Sequence, residues 1–159
     1  MTSKPFTTCL WFDDQGEEAA QFYTSIFKDS AITGVHRYNE AGPGQAGKVM
    51  TVEFTLNGQS FTALNGGPQY TFSPAVSIMV EAADQAEVDY YWDRLTEGGN
   101  EVACGWVTDK YGLSWQIVPT AFYAMMRDPD SAKVARVTAA MLRMKKFHIA
   151  ELDRAYAGQ

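Results

Sequence analysis

The chain has 159 residues, of which 46% are hydrophobic and 20% charged, the balance of a compact globular protein rather than a disordered one. No apolar run approaches the ~18 residues of a membrane-spanning helix. Two cysteines, Cys9 and Cys104, do not make a disulfide framework and are expected as reduced thiols. The N-terminal stretch MTSKPFTTCLWF has no basic patch followed by a long apolar segment, so a cytoplasmic protein is expected. Residues 1–121 hold six Lys/Arg and fifteen Asp/Glu, a net −9, whereas residues 122–159 hold seven and four, a net +3. An acidic body repels a phosphate backbone, which argues against nucleic acid as a partner. The basic tail reads as a segment laid on its own or a partner's acidic body.

Thr7–Phe27 can be slid without a gap by 69 positions onto Val76–Thr96. Each copy opens with a short apolar strand, Thr8 to Phe12 or Val76 to Val80, and continues through an acidic turn. An aromatic pair follows at the same helical position, Phe22–Tyr23 or Tyr91–Trp92. Ile26 and Leu95, four residues after the first aromatic, extend one buried stripe.

Three strands are predicted after the first helix, over Ala31–Arg37, Val49–Leu56 and Gln59–Asn65. Asn57-Gly58 is a hairpin turn between the last two, because both residue types tolerate positive φ. The Gly- and Pro-rich stretch Asn39–Gly47 is a loop. Three more strands follow the second helix, over Glu101–Cys104, Trp106–Thr108 and Leu113–Val118, with a turn at Asp109–Gly112. The pattern is βαβββ twice, with the first unit at about 7–66 and the second at about 75–119. Residues 1–121 form this paired domain and 122–159 a C-terminal helical extension. Within the extension, Asp128-Pro129-Asp130-Ser131 is a break and a cap. Val134, Val137, Met141, Met144, His148 and Leu152 then recur at helical spacing as one stripe.

The segments CLWFDDQGEEAAQFYTSIF (9–27), LNGGP (64–68), CGWVTDKYGLSWQIVP (104–119) and MLRMKKFHIAELDRAYAG (141–158) resemble the PhnB-like branch of the vicinal oxygen chelate, or glyoxalase/bleomycin-resistance, superfamily. That branch carries the label 3-demethylubiquinone-9 3-methyltransferase. The resemblance implies an α+β fold in which each βαβββ unit curls into a half-barrel cup, and it implies a homodimer. It also implies where relatives place metal ligands, on the first and last strands of each unit. The positions matching them here are Thr8, Ala63 or Asn65, Ser77 and Gln116. Hydroxyls and amides are poor ligands for Zn²⁺ or Fe²⁺, so no metal is expected there. No cofactor is expected either: Gly66-Gly67-Pro68 follows a strand but opens no helix, as a strand-to-helix cofactor turn would require.

Strand alternation sets the remaining expectation. If Gln116 points into the cup, Trp115 points to the helix side. By the same parity Thr8, Leu10 and Phe12, with Ser77, Met79 and Glu81, face the cup, while Trp11 faces away. The candidate ligand-binding residues are Thr8, Leu10, Asn65, Ser77, Met79, Cys104 and Gln116. They describe a mostly apolar cavity suited to a small organic molecule. Three readings stay open: a metal-free binding module; an enzyme of lyase, transferase or dioxygenase type with unassigned substrate, acting through neutral polar groups or Cys104; and a mainly structural or regulatory dimer whose pocket is vestigial.

Overall fold

A computed structural model describes residues 6–159. The chain divides into two units, one ending at Thr71 and the other running from Phe72 to Gln159.

The first unit contains β1 (Thr8–Phe12), α1 (Gly16–Ile26), β2 (Ala31–Arg37), β3 (Val49–Leu56) and β4 (Gln59–Asn65). The sheet order is β1-β4-β3-β2, with β1 parallel to β4 and the other pairs antiparallel. Asn57 and Gly58 at φ 47° and 74° close the β3–β4 hairpin, as their residue types predict. Alternation along β3 and β4 buries Val52, Phe54, Leu56, Phe61 and Ala63 on one face. Helix α1 covers that face: Tyr23 stacks on Phe54 at 6.4 Å, and Phe54 on Phe61 at 5.4 Å. Burying each of these aromatics contributes about 1.5–3 kcal/mol.

The loop after β2 folds back on itself. Tyr38 N–H donates to the Lys48 carbonyl at 2.9 Å, and Gly47 N–H donates to the Tyr38 carbonyl at 2.8 Å. The Tyr38 hydroxyl reaches across to the Asn65 carbonyl at 2.7 Å.

The second unit contains β5 (Ser77–Ala82), α2 (Gln85–Thr96), β6 (Asn100–Glu101), β7 (Trp106–Thr108), β8 (Ser114–Pro119), α3 (Thr120–Met126), α4 (Ser131–Met141) and α5 (Ile149–Ala157). The sheet order is β5-β8-β7-β6, the same connectivity as in the first unit. Asp84 caps α2 by accepting the Glu87 N–H at 2.9 Å. Val88, Trp92 and Leu95, at helical spacing, bury the stripe that rests on the sheet.

Two expectations are corrected. Cys104 does not lie on a strand: β6 ends at Glu101, and Cys104 sits in the following loop at φ 58°. The extension is also not one helical stripe. Asp130 does cap a helix, but α4 ends at Met141 and α5 begins at Ile149, with α3 preceding both. Helix formation would use the Met144 and Lys145 carbonyls internally. Here they accept instead from Cys104 and Gly105 N–H groups at 2.9 and 2.7 Å. His148, placed on the stripe by spacing, is the exposed N-cap of α5.

Candidate functional site

In the second unit, strand register decides which side chains meet. β5 pairs in parallel with β8, bringing Met79 opposite Gln116, and β7 pairs with β8 so that Trp106 lies on Gln116's other side. Gln116 Nε2 donates to Ser77 Oγ at 2.8 Å. The opposite face carries Val107, Trp115 and Ile117, each no more than 1% exposed. Ser77, Met79 and Gln116 therefore share the face turned away from Trp115, as parity predicts for this unit, and Trp106 joins them. Met79 is 52% exposed, an apolar side chain in contact with solvent.

Asp109 fixes the far end of this sheet. Its carboxylate accepts from Tyr111 N–H at 2.9 Å, Leu113 N–H at 3.0 Å and the Trp115 indole Nε1–H at 2.8 Å. It is 2% exposed. An acceptor so engaged is a turn-former and an anchor for Trp115, and it is not built as a general base.

The first unit departs from the predicted parity. Leu10 is 5% exposed and pairs with Ala63; Phe12 is 3% exposed and pairs with Asn65. A Cβ on Gly16 of α1 would lie 3.1 Å from the Ala63 Cβ and 2.6 Å from Asn65 Oδ1. Leu10, Phe12, Ala63 and Asn65 thus face α1, as does Thr8 by alternation, while Cys9 and Trp11 take the other face.

The cause is one residue. Three residues, Asp13 to Gln15, separate β1 from α1, but only Ala83 and Asp84 separate β5 from α2. The 69-residue slide holds for the helices, whereas the strands correspond at 70, and a one-residue slip turns every side chain over. The counterpart of Gln116 is accordingly Thr62, paired with Cys9, rather than Ala63 or Asn65.

Asn65 is committed to the fold. Its Oδ1 accepts from Gly16 N–H at 2.7 Å, and its Nδ2 donates to the Val49 carbonyl at 3.2 Å. It borders a cavity of about 650 Å³ formed within the first unit, whose wall includes Asp13, Asp14, Glu17, Tyr38 and Lys48. That lining is charged, unlike the apolar pocket that strand parity suggests. Cys104 lies in the loop before β7, with its Sγ against the Met141 carbonyl at 3.8 Å. On the surface, His36 Nε2 lies 3.7 Å from the Glu53 carboxylate.

The model of the 3-demethylubiquinone-9 3-methyltransferase family matches residues 4–118. The chain belongs to that family. A PhnB protein from Bacillus cereus has a similar structure, with 37% identity and a TM-score of 0.68 over 74% of this chain and 100% of its own. A protein from Pseudomonas aeruginosa is similar at 19% identity and a TM-score of 0.61, over 74% and 98% of the two chains. The fosfomycin resistance protein FosX from Mesorhizobium loti shares the fold, at 13% identity and a TM-score of 0.54 over 74% and 92%. The fold is that of the vicinal oxygen chelate superfamily. No curated protein matches the chain.

Within the family fold, the donors at the first and last strands do not suit a metal ion. The second unit offers a hydroxyl, a thioether and an amide from Ser77, Met79 and Gln116. The first offers Thr62 and Cys9, a hydroxyl and a single thiol whose pKa is raised by partial burial. Zn²⁺ and Fe²⁺ take imidazole, thiolate or carboxylate. No group of three or more His, Cys, Asp or Glu able to hold an ion occurs among the described residues. Gly66-Gly67 leads from β4 to β5 and not into a helix.

Proposed function

We propose that this protein binds a small organic molecule without a metal ion, on the face of its second unit that carries Ser77, Met79, Trp106 and Gln116. The observation behind this reading is the Gln116–Ser77 hydrogen bond beside the exposed Met79. The bond commits Nε2 as a donor to Ser77 and leaves Oε1 as the acceptor offered to a ligand. Met79 and the indole of Trp106 supply apolar contact on either side of that amide.

Magnitudes favour a ligand with both characters. About 100 Å² of apolar contact contributes about 2.5 kcal/mol. Association costs about 4 kcal/mol or more, so a purely apolar molecule of that contact area would not be held. A hydrogen-bond donor reaching Gln116 Oε1 would set orientation and specificity.

Val76 and Met79, at 68% and 52% exposure, leave apolar surface that a ligand or a second copy would cover, which supports a homodimer. The free thiols of Cys9 and Cys104 fit a reducing, cytoplasmic setting.

A thermal-shift panel of small aromatic acids and amides, with mass spectrometry of molecules that co-purify, tests the reading. A ligand should raise Tm in the parent chain and not in Gln116→Leu. Equal shifts in both would remove the site, and one tightly held metal ion per chain would overturn the metal-free reading. Consumption of the ligand would make the protein an enzyme of the same superfamily.

A further inference from the structure

The strands of the second unit put one ionisable side chain on the face that carries Gln116. Alternation along β5 places Ser77, Met79 and Glu81 there, while Ile78 and Val80 turn with Trp115 to the opposite face. Met79 and Glu81 are both exposed. By register, β6, β7 and β8 add neutral residues alone, Gln116, Trp106 and Thr108 among them. Lys110 belongs to the β7–β8 turn at the Ser77 end of the face, whereas Glu81 lies opposite Val118 at the other end, just before α3 begins at Thr120.

Glu81 follows Met79 by two residues, about 7 Å along the strand. Among the described residues no ion pair or hydrogen bond engages its carboxylate. Its charge is felt at Tyr123 of α3, whose hydroxyl is pushed above its usual pKa by burial and then by Glu81, with Arg127 opposing both. The first unit does not repeat this carboxylate. At the 70-residue offset that relates the strands, Trp11 takes the place of Glu81. The surrounding body, net −9 over residues 1–121, draws cations toward the face and opposes anions.

Resting on the ligand site proposed for this face, we infer that the ligand is an organic cation, with its ammonium group at Glu81 and its apolar body over Met79 and Trp106. Gln116 Nε2 is committed to Ser77, so the amide offers its acceptor, and Glu81 offers a second one. An ammonium group supplies donors and no acceptor, which suits such a pair, and a hydrogen bond to a charged group is stronger than one between neutral groups. A ligand carboxylate would instead bring a like charge to Glu81.

Isothermal titration calorimetry of the full-length chain with tryptamine, indole-3-acetamide and indole-3-acetate tests this, because the three share one ring and differ in charge. Tryptamine should bind at least 5-fold tighter than the acetamide and at least 10-fold tighter than the acetate. In Glu81→Gln the advantage of tryptamine over the acetamide should fall below 2-fold, with acetamide affinity changing less than 2-fold. Glu81→Lys should invert the order of tryptamine and the acetate. Glu81 is exposed, so neither substitution disturbs the core. Tryptamine no tighter than the acetamide, or an advantage kept in Glu81→Gln, would overturn the cation assignment, while acetamide binding lost in Gln116→Leu would leave the ligand site in place. No binding of any of the three at millimolar concentration, or binding that persists in Gln116→Leu, would overturn the ligand site itself and the cation assignment with it.

Discussion

Trp115 donates its indole N–H to Asp109 at 2.8 Å inside the second unit, and the same carboxylate closes the turn between β7 and β8 through Tyr111 and Leu113. Trp115 is 1% exposed, and its neighbour Gln116 is thereby held on the opposite face. A buried anchor thus orients the strand that carries the proposed ligand contact. Asp109→Ala would leave three donors without their acceptor. It should cost about 2–4 kcal/mol, because each unpaired buried donor carries a penalty of about 1–3 kcal/mol and the turn relaxes in part. Urea denaturation checks this. An unchanged midpoint would mean that water replaces the carboxylate without loss.

Asn65 separates a structural role from a ligand-binding one. Removing its side chain orphans the Gly16 N–H at the start of α1, whose N-cap residue Gln15 makes no side-chain cap. Asn65→Ala should therefore destabilise by about 1–3 kcal/mol. Any ligand-induced Tm shift should be retained, in contrast to Gln116→Leu. Loss of the shift with unaltered stability would return Asn65 to the ligand site.

Gly66 lies under Trp11. A Cβ there would fall 2.3 Å from the Trp11 ring, whose Nε1–H donates to the Gly67 carbonyl at 2.8 Å and whose face meets Tyr70 edge-on at 5.0 Å. Gly66→Ala should displace the ring and cost about 1–3 kcal/mol, the usual range for overpacking. The Trp11 indole N–H resonance should move toward its solvent-exposed position, and a resonance unmoved by the substitution would contradict this packing.

Acid should loosen the tail through Asp89. The hydrogen bond from Lys146, followed by that from Gln85, holds the Asp89 carboxyl below its usual pKa. A depressed folded-state value adds stability above the unfolded-state pKa, and this stability is lost as pH falls through the folded-state value. Lys146→Met removes the main cause. The drop in Tm between pH 7 and pH 3 should accordingly be smaller in Lys146→Met than in the parent chain. Equal drops would show that the pair is screened at the surface.

Local pattern was enough for most of the fold. β1, β2, β3, β4 and β7 have the bounds that alternation and turn chemistry predict, and Asn57-Gly58, Asp84 and Asp130 act as the turn and caps their types suggest. These features depend on φ, hydrogen bonding and burial within a few residues of each other, which is information a sequence carries directly. Ser77, Met79 and Gln116 were legible as one face for the same reason.

Contacts between distant residues decided the rest. The duplication was readable, but its strand register was not: one additional residue before α1 reverses Leu10 and Trp11, and the packing of Gly16 on Ala63 and Asn65, with Tyr23 on Phe54, shows which face the helix covers. Likewise, the helical spacing of Met144 and His148 gave way to carbonyl contacts with Cys104 and Gly105, about forty residues earlier in the chain. Apolar periodicity states which residues seek burial, whereas the partner that buries them, and the amide that takes their backbone, are fixed only when the chain has folded.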